Sequence, residues 1–252
     1  MDLQLKGRNA IITGGSGGIG WSTAEAFAQE GANVAICGRD EERVKSAVSR
    51  LEALGVKAFG RSVDVTDADA LRAWVEAAAE ALGGLDAVVA NVSALGSGKG
   101  EEGWKRAVDV DLMHTVRLVD AALPHLRKSE AGSIVIVSSV SARRALSAGP
   151  YGTLKAALNH YGKGLSVDLA PEGIRANVVS PGTIYVEDGF WGNIEKKNPA
   201  MFEGALRRNP MGRMGTPEEV AHAIVFLSSP LSGFTSGTNL LIDGAVTQGV
   251  QM

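Results

Sequence analysis

Cysteine is almost missing from this sequence. Cys37 is the single one in 252 residues, so an internal disulfide framework is excluded and no cysteine cluster offers a zinc site. Histidine is sparse as well. His114, His125, His160 and His222 are scattered without ligand spacing, and His114 with Asp111 three positions away is too small a donor set, so no metal is expected. No apolar run reaches the ~18 residues of a membrane span. Residues 1–6, Met-Asp-Leu-Gln-Leu-Lys, lack a basic segment leading into an apolar one. Neither a membrane partner nor secretion is therefore expected, and the expected compartment is the cytoplasm. Charge is balanced, with 25 Lys and Arg against 28 Asp and Glu for a net −3, which argues against a nucleic-acid surface. Repeats, low-complexity tracts and linkers are absent too.

What the chain does have is alternation. Short apolar runs occur at Ala10–Ile12, Val34–Cys37, Ala87–Ala90, Ile134–Val137 and Leu240–Ile242. Two weaker ones, Ala58–Val63 and Ala176–Val179, are interrupted by polar residues such as Arg61 and Asn177. Unbroken apolarity over three or four residues marks strands buried on both faces. Between them, Ile19–Glu30, Glu41–Leu54, Asp67–Leu82, Glu102–Leu126, Tyr151–Ala170 and Pro217–Ser229 carry helical spacing. Gly31 and Gly55 serve as C-terminal stops, and Thr216-Pro217 reads as an N-cap followed by proline at the first helical position. Strand and helix in alternation predict an α/β fold: one doubly wound domain over residues 1–252, with a seven-stranded parallel sheet covered by helices on both faces.

Two stretches carry chemistry. The first strand runs into Thr13-Gly14-Gly15-Ser16-Gly17-Gly18-Ile19-Gly20, and helical pattern follows at once. Glycines at 14, 18 and 20 let the backbone turn tightly and approach a pyrophosphate, which a helix N-terminus attracts. The spacing is Gly-x-x-x-Gly-x-Gly, and no Gly-Lys-Ser/Thr follows, so a P-loop is disfavoured. A plain tight loop is the alternative in a chain with 32 glycines. The second stretch is Tyr151-Gly-Thr-Leu-Lys155. On a helix the phenol and the ammonium lie one turn apart on one face, and a cation beside a tyrosine favours the phenolate. Many long helices carry such a pair without using it.

Together, the glycine turn and Tyr151-x-x-x-Lys155 resemble the short-chain dehydrogenase/reductase family, in its branch of single Rossmann-type domains of this length. Asp64-Val65 looks like the family's acidic-apolar pair beside the adenine. Ala90-Asn91-Val92-Ser93 stands where the family has Asn-Asn-Ala-Gly, keeping only Asn91. Val137-Ser138-Ser139 resembles the strand that ends in the catalytic serine, and Ser180-Pro181-Gly182-Thr183 the loop over the nicotinamide. Gly212 to Gly215, Pro217 to Ala221 and Ile242-Asp243-Gly244 complete the match.

The resemblance implies hydride transfer between NAD(P) and a small carbonyl compound or secondary alcohol. Tyr151 would be the acid/base, Lys155 would lower its pKa and hold the ribose, and a serine would bond the carbonyl oxygen. Strand register favours Ser139 for that serine. The usual family spacing to the tyrosine favours Ser138 instead, and Ser141 is a third candidate. A fourth catalytic position, asparagine in the family, is Asp111 within Asp109-Val110-Asp111-Leu112. A carboxylate accepts the same bonds but cannot donate, and a solvated surface acid is the alternative. Cofactor contacts are expected from Gly14, Ser16, Gly18, Ile19, Gly20, Arg39, Asp64, Val65, Asn91, Tyr151, Lys155, Pro181, Gly182 and Ile184.

At the end of the second strand, Gly38-Arg39-Asp40 favours NADP over NAD. Gly38 leaves room for a 2′-phosphate and Arg39 can pair with it, although Asp40 could turn inward to a free hydroxyl and Gly17 lacks a second cation. Residues 183–212, with Tyr185, Phe190 and Trp191, suit a substrate lid or an oligomer contact. Arg143 and Arg144 could face an anionic substrate or solvent. The family implies a homotetramer or homodimer. Two other readings stay open: a dinucleotide-binding regulator without turnover, and a family-fold enzyme of other chemistry, such as an epimerase or dehydratase.

Overall fold

The computed structural model describes residues 2–95, 98, 100–144 and 148–249. Seven strands form one sheet: β1 (Asn9–Thr13), β2 (Asn33–Gly38), β3 (Ala58–Ser62), β4 (Ala87–Ala90), β5 (Ser133–Val137), β6 (Arg175–Pro181) and β7 (Asn239–Ile242). All neighbours pair in parallel, in the order β3-β2-β1-β4-β5-β6-β7. This is a Rossmann-type sheet. The order reverses between β1 and β4, and ligands of such sheets bind beyond the strands' carboxyl ends at that reversal.

The apolar runs are buried as their continuity predicts. On one face Trp74 and Leu71 of α3 (Ala68–Leu82), Leu118 of α5 (His114–Leu126) and Leu158 of α6 (Pro150–Leu169) pack against the sheet. On the other, Phe27 of α1 (Gly18–Gln29), Leu51 of α2 (Glu41–Glu52) and Ile224 of α9 (Pro217–Ser228) do the same. Each such side chain taken wholly out of water contributes about 1.5–3 kcal/mol. Thr216 caps α9 through a reciprocal bond pair with Glu219, as the sequence predicts.

The polar interruptions of β6 have a structural use. Arg175 is buried, and its guanidinium donates to the carbonyls of Leu227 (2.6 Å), Ser229 (3.1 Å) and Ser228 (3.3 Å) and to Ser232 Oγ (2.7 Å). It thereby satisfies the carbonyls at the end of α9, whose dipole favours a cation. Asn177 similarly donates to Thr235 O and accepts from the Thr238 N–H.

Two elements differ from the sequence expectation. The single helix expected over Glu102–Leu126 is three pieces: α4 (Glu101–Ala107), a π-helical turn (Val108–Met113) and α5. The His114 N–H bonds Asp109 O, five residues back, which frees Val110 O for the His114 ring at 2.7 Å; the Thr115 hydroxyl takes Asp111 O at 3.1 Å. Side chains therefore compete with the regular ladder and widen it. Residues 183–212 also hold two helices that spacing did not reveal, α7 (Phe190–Lys197) and α8 (Pro199–Arg208). Among the described residues no helix is long and apolar enough to cross a membrane.

Candidate active site

The glycine turn leads from β1 into α1 at the sheet's reversal point. Gly14 has φ +67°, the left-handed region that glycine tolerates, and a Cβ at Gly20 would collide with the Gly14 carbonyl. Gly17 occupies the N-cap of α1, where no side chain caps the helix and no acid lies in its first turn. The first N–H groups are thus left for an anion, the arrangement that a pyrophosphate fits. Ser16 lies against Gly38, where a Cβ would come 2.7 Å from its Oγ, and a Cβ on Gly18 would meet Val186 Cγ2 at 3.7 Å. The start of the 183–212 segment, which includes half-buried Ile184, therefore lies beside the turn.

Asn91, at the end of β4, donates from its backbone N–H to Thr13 Oγ1 and from Nδ2 to Thr13 O, both at 3.1 Å. These bonds tie the tips of β1 and β4 together. Val65 is buried beside exposed Asp64, whose carboxyl is held below the usual range by the Thr66 N–H and hydroxyl. Pro181 ends β6, and the Gly182 N–H bonds Ile242 O at 2.9 Å. Arg39 is exposed, and Asp40 accepts from the Arg43 N–H at the start of α2 and pairs with its side chain at 3.5 Å. The Asp40 carboxylate is thus engaged with α2.

At the other end of the cleft, β5 delivers the serines and α6 the tyrosine and lysine. Ser138 Oγ donates to Lys155 O at 2.9 Å and is turned into α6. Ser139 Oγ faces the opposite way, accepting from the Ser141 N–H at 3.1 Å on the side of Tyr151, whose pKa it draws down. Register thus separates the two candidates, since neighbouring residues of a strand point to opposite sides. Lys155 is wholly buried, with Nζ 3.1 Å from Val137 O, 3.3 Å from Asp111 Oδ1 and 5.9 Å from the centre of the Tyr151 ring.

Asp111 is only 1% exposed, so it is no solvated surface acid. The π-helical turn points it inward, and it accepts from Ser93 Oγ at 2.7 Å and from the Ala94 N–H at 3.1 Å. Ser93 is a neighbour that sequence reasoning missed as a participant. Burial pushes the Lys155 pKa down, opposed by the Asp111 carboxylate. The Tyr151 phenol is pushed up, by burial first and also by the Asp111 charge, against the influence of the Ser139 side chain. That differs from the acidified tyrosine that the lysine alone leads one to expect.

The remaining candidates divide. Tyr185 donates to Glu195 at 2.6 Å and stands edge-on to Phe202, while Phe190 packs edge-on to Trp191, so these aromatics pack residues 185–202 on themselves. Arg143 is exposed and Arg144 half-buried, next to residues 145–147 that lie outside the described ones. Ser141 contributes its N–H to Ser139.

Fold and cleft together define a nucleotide-cofactor enzyme with a Ser-Tyr-Lys constellation, Ser139 and Lys155 buried and Tyr151 half-buried. A family model described as enoyl-(acyl carrier protein) reductase matches residues 14–247. Isoepoxydon dehydrogenase of Penicillium expansum is 40% identical over 98% of this chain and 97% of its own length. Sorbose reductase of Candida albicans is 35% identical over 98% of this chain and 90% of its own. Among solved structures, an NADPH-bound short-chain oxidoreductase from Pseudomonas aeruginosa PAO1, described as containing an atypical catalytic center, superposes with a TM-score of 0.86. It is 31% identical and covers 96% of this chain and 98% of that one. The chain belongs to the short-chain dehydrogenase/reductase family and is an NAD(P)-dependent oxidoreductase.

Proposed function

We propose that this chain moves a hydride between NADP(H) and a small hydroxylated carbonyl compound or its secondary alcohol. Tyr151 is the proton donor and acceptor, Ser139 the hydroxyl that bonds the substrate oxygen, and Lys155 the group behind them. The observation that carries this reading is the approach of three groups from β5 and α6: the Ser139 hydroxyl is the neighbour that draws the Tyr151 pKa down, and Lys155 Nζ stands 5.9 Å from the centre of the Tyr151 ring. The bound nicotinamide supplies the hydride in reduction and takes it in oxidation. In reduction the carbonyl oxygen gains its proton from the Tyr151 O–H as negative charge develops on it, while Ser139 steadies that charge. Gly14, Ser16, Gly18, Ile19, Gly20 and Asn91 would hold the pyrophosphate side. Asp64 and Val65 would border the adenine, and Pro181, Gly182 and Ile184 the nicotinamide, with residues 183–212 as the substrate lid. The choice of substrate class is supported by the names of two relatives, a sorbose reductase and an isoepoxydon dehydrogenase.

NADP is favoured because Asp40 is committed to α2 and Arg39 is exposed beside Gly38. The reading extends to a homotetramer or homodimer in the cytoplasm, on the strength of the family resemblance and the sequence, and size-exclusion chromatography tests the assembly. For turnover the test is a panel of ketoses, cyclic hydroxyketones and simple ketones with NADPH and NADH. Tyr151→Phe should lower kcat by several orders of magnitude while cofactor Kd changes only a few-fold. Arg39→Ala should lower the NADPH to NADH ratio of kcat/KM by ~10- to 100-fold, the worth of a charge-assisted bond. Ample turnover in Tyr151→Phe would remove Tyr151 from its role, and a ratio unmoved by Arg39→Ala would remove the NADP preference.

A further inference from the structure

Each polar group that bonds the Asp111 carboxylate is a donor. The Ser93 hydroxyl and the Ala94 N–H take one oxygen each, and the Lys155 ammonium stands at the oxygen that Ser93 occupies. An amide does not suit that shell, because its NH2 would face either the Ala94 N–H or the lysine. Ser93 and Asp111 are also two places where this chain departs from the family pattern, Gly in Asn-Asn-Ala-Gly and Asn in Asp-Val-Asn-Leu. The fold joins those two departures in one 2.7 Å hydrogen bond.

We propose that Ser93 and Asp111 form a counter-ion unit that cancels the charge of Lys155 before it reaches Tyr151, so that the resting site holds Tyr151 as a phenol, set to protonate a carbonyl rather than to deprotonate an alcohol. Ser93 and Asp111 act through the lysine and are positioning residues. The inference rests on Tyr151 being the acid/base proposed above.

The physical reason is the distance dependence of charge. A lone buried ammonium beside a phenol stabilises the phenolate. A carboxylate in contact with that ammonium turns it into a dipole, and desolvated pairs of this kind survive only when further donors satisfy the remaining lone pairs. Ser93 and the Ala94 N–H are those donors. The other groups around the pair leave the balance intact. His114, from the next turn, is buried with its ring between Val110 O and Thr13 Oγ1, and burial lowers its pKa to about 4, so it is uncharged. Arg117 is directed to Asp109 at 2.7 Å. Ser139, after β5, is uncharged, and Arg143 and Arg144 beyond it make no bond to Tyr151, Lys155 or Asp111 among the described residues.

The test needs neither cofactor nor substrate. The chain has three tyrosines, so phenolate absorbance of the whole protein, with and without Tyr151→Phe, isolates the Tyr151 titration. Asp111→Asn should lower its midpoint by about one pH unit or more, a tenfold change in the ionisation constant. Ser93→Ala should raise the midpoint by about half a unit, since the carboxylate then shares less of its charge, but leave it unmoved in the Asp111→Asn background. Ser93→Thr should restore it. If Asp111→Asn leaves too strained a lysine to fold, the double variant Lys155→Met with Asp111→Asn, which carries neither charge, should titrate within about half a unit of wild type. A midpoint unmoved by Asp111→Asn, or raised by more than about one unit in the double variant, overturns the counter-ion unit. A midpoint unmoved by Ser93→Ala removes Ser93 from it. Failure of the oxidoreductase reading shows separately, as turnover that survives Tyr151→Phe.

Discussion

Acidification from pH 7 to pH 5 should weaken the fold through one residue, His114. Its ring is wholly buried between the π-helical turn and β1, and burial brings its pKa from 6.5 to about 4. The folded value lies below the unfolded one, so between these two values the unfolded chain binds the proton that the folded chain refuses. Stability contributed by the neutral ring is therefore present above pH 6.5 and is lost as pH falls towards 4. Down to pH 5 the interval is about 1.5 units, which at ~1.36 kcal/mol per unit amounts to roughly 2 kcal/mol. That is a visible share of a domain's usual 5–15 kcal/mol or so. Four carboxyls held low do not interfere, because their contributions are lost only below about pH 4.5: Glu219, drawn to about 2 by Arg213, with Asp64, Glu172 and Glu218. The assay is urea unfolding of wild type and His114→Gln at both pH values. Wild type should lose about 2 kcal/mol more than the variant on acidification. Equal losses in the two proteins would refute the reasoning.

Ser139→Ala should reduce kcat by ~10²- to 10³-fold, as loss of one oxyanion donor does, whereas Ser138→Ala should cost only about 1 kcal/mol of stability in denaturant titration. The reverse pattern would exchange their roles. Arg175→Met leaves the carbonyls of Leu227 and Ser229 without their buried donor, and should lower Tm by roughly 10 °C, from about 3 kcal/mol or more at ~2–4 °C per kcal/mol. Gly20→Ala should abolish nucleotide binding measured by calorimetry, because the added methyl displaces the Gly14 carbonyl that shapes the turn. Asn198→Ala removes the N-cap of α8, worth about 1 kcal/mol, and should raise KM more than it lowers kcat.

The sheet was legible because parallel strands covered on both faces need unbroken apolar runs, and β1, β2, β4 and β5 have them. In β6 the run Ala176–Val179 was weakened by Asn177, whose partners, Thr235 O and the Thr238 N–H, lie across the fold where no local spacing reveals them. Of α7 and α8, the second did leave a mark: Asn198-Pro199 is the same cap-then-proline signature as Thr216-Pro217. Glycine turn, Tyr151 and Lys155 could be read from spacing because each acts within one local element. The break at Val108–Met113 and the burial of Asp111 could not, for they depend on His114 meeting Thr13 and on Asp111 meeting Ser93 and Lys155 across the fold.

The position of α9 has a consequence for the order in which the molecule can be completed. This late helix packs on α1, the earliest one, and is stitched to the beginning of the chain by the bonds Ser22–Glu218 and Ser229–Leu3. A chain made from its N-terminus therefore carries the outer side of α1 and β1 bare until residues 217–228 emerge. Contacts of such sequence separation close slowly and leave apolar surface open to other chains meanwhile. Truncation before Pro217 should thus yield not a smaller working domain but an aggregating one, even though every residue of the cleft from Gly14 to Ile184 is still present.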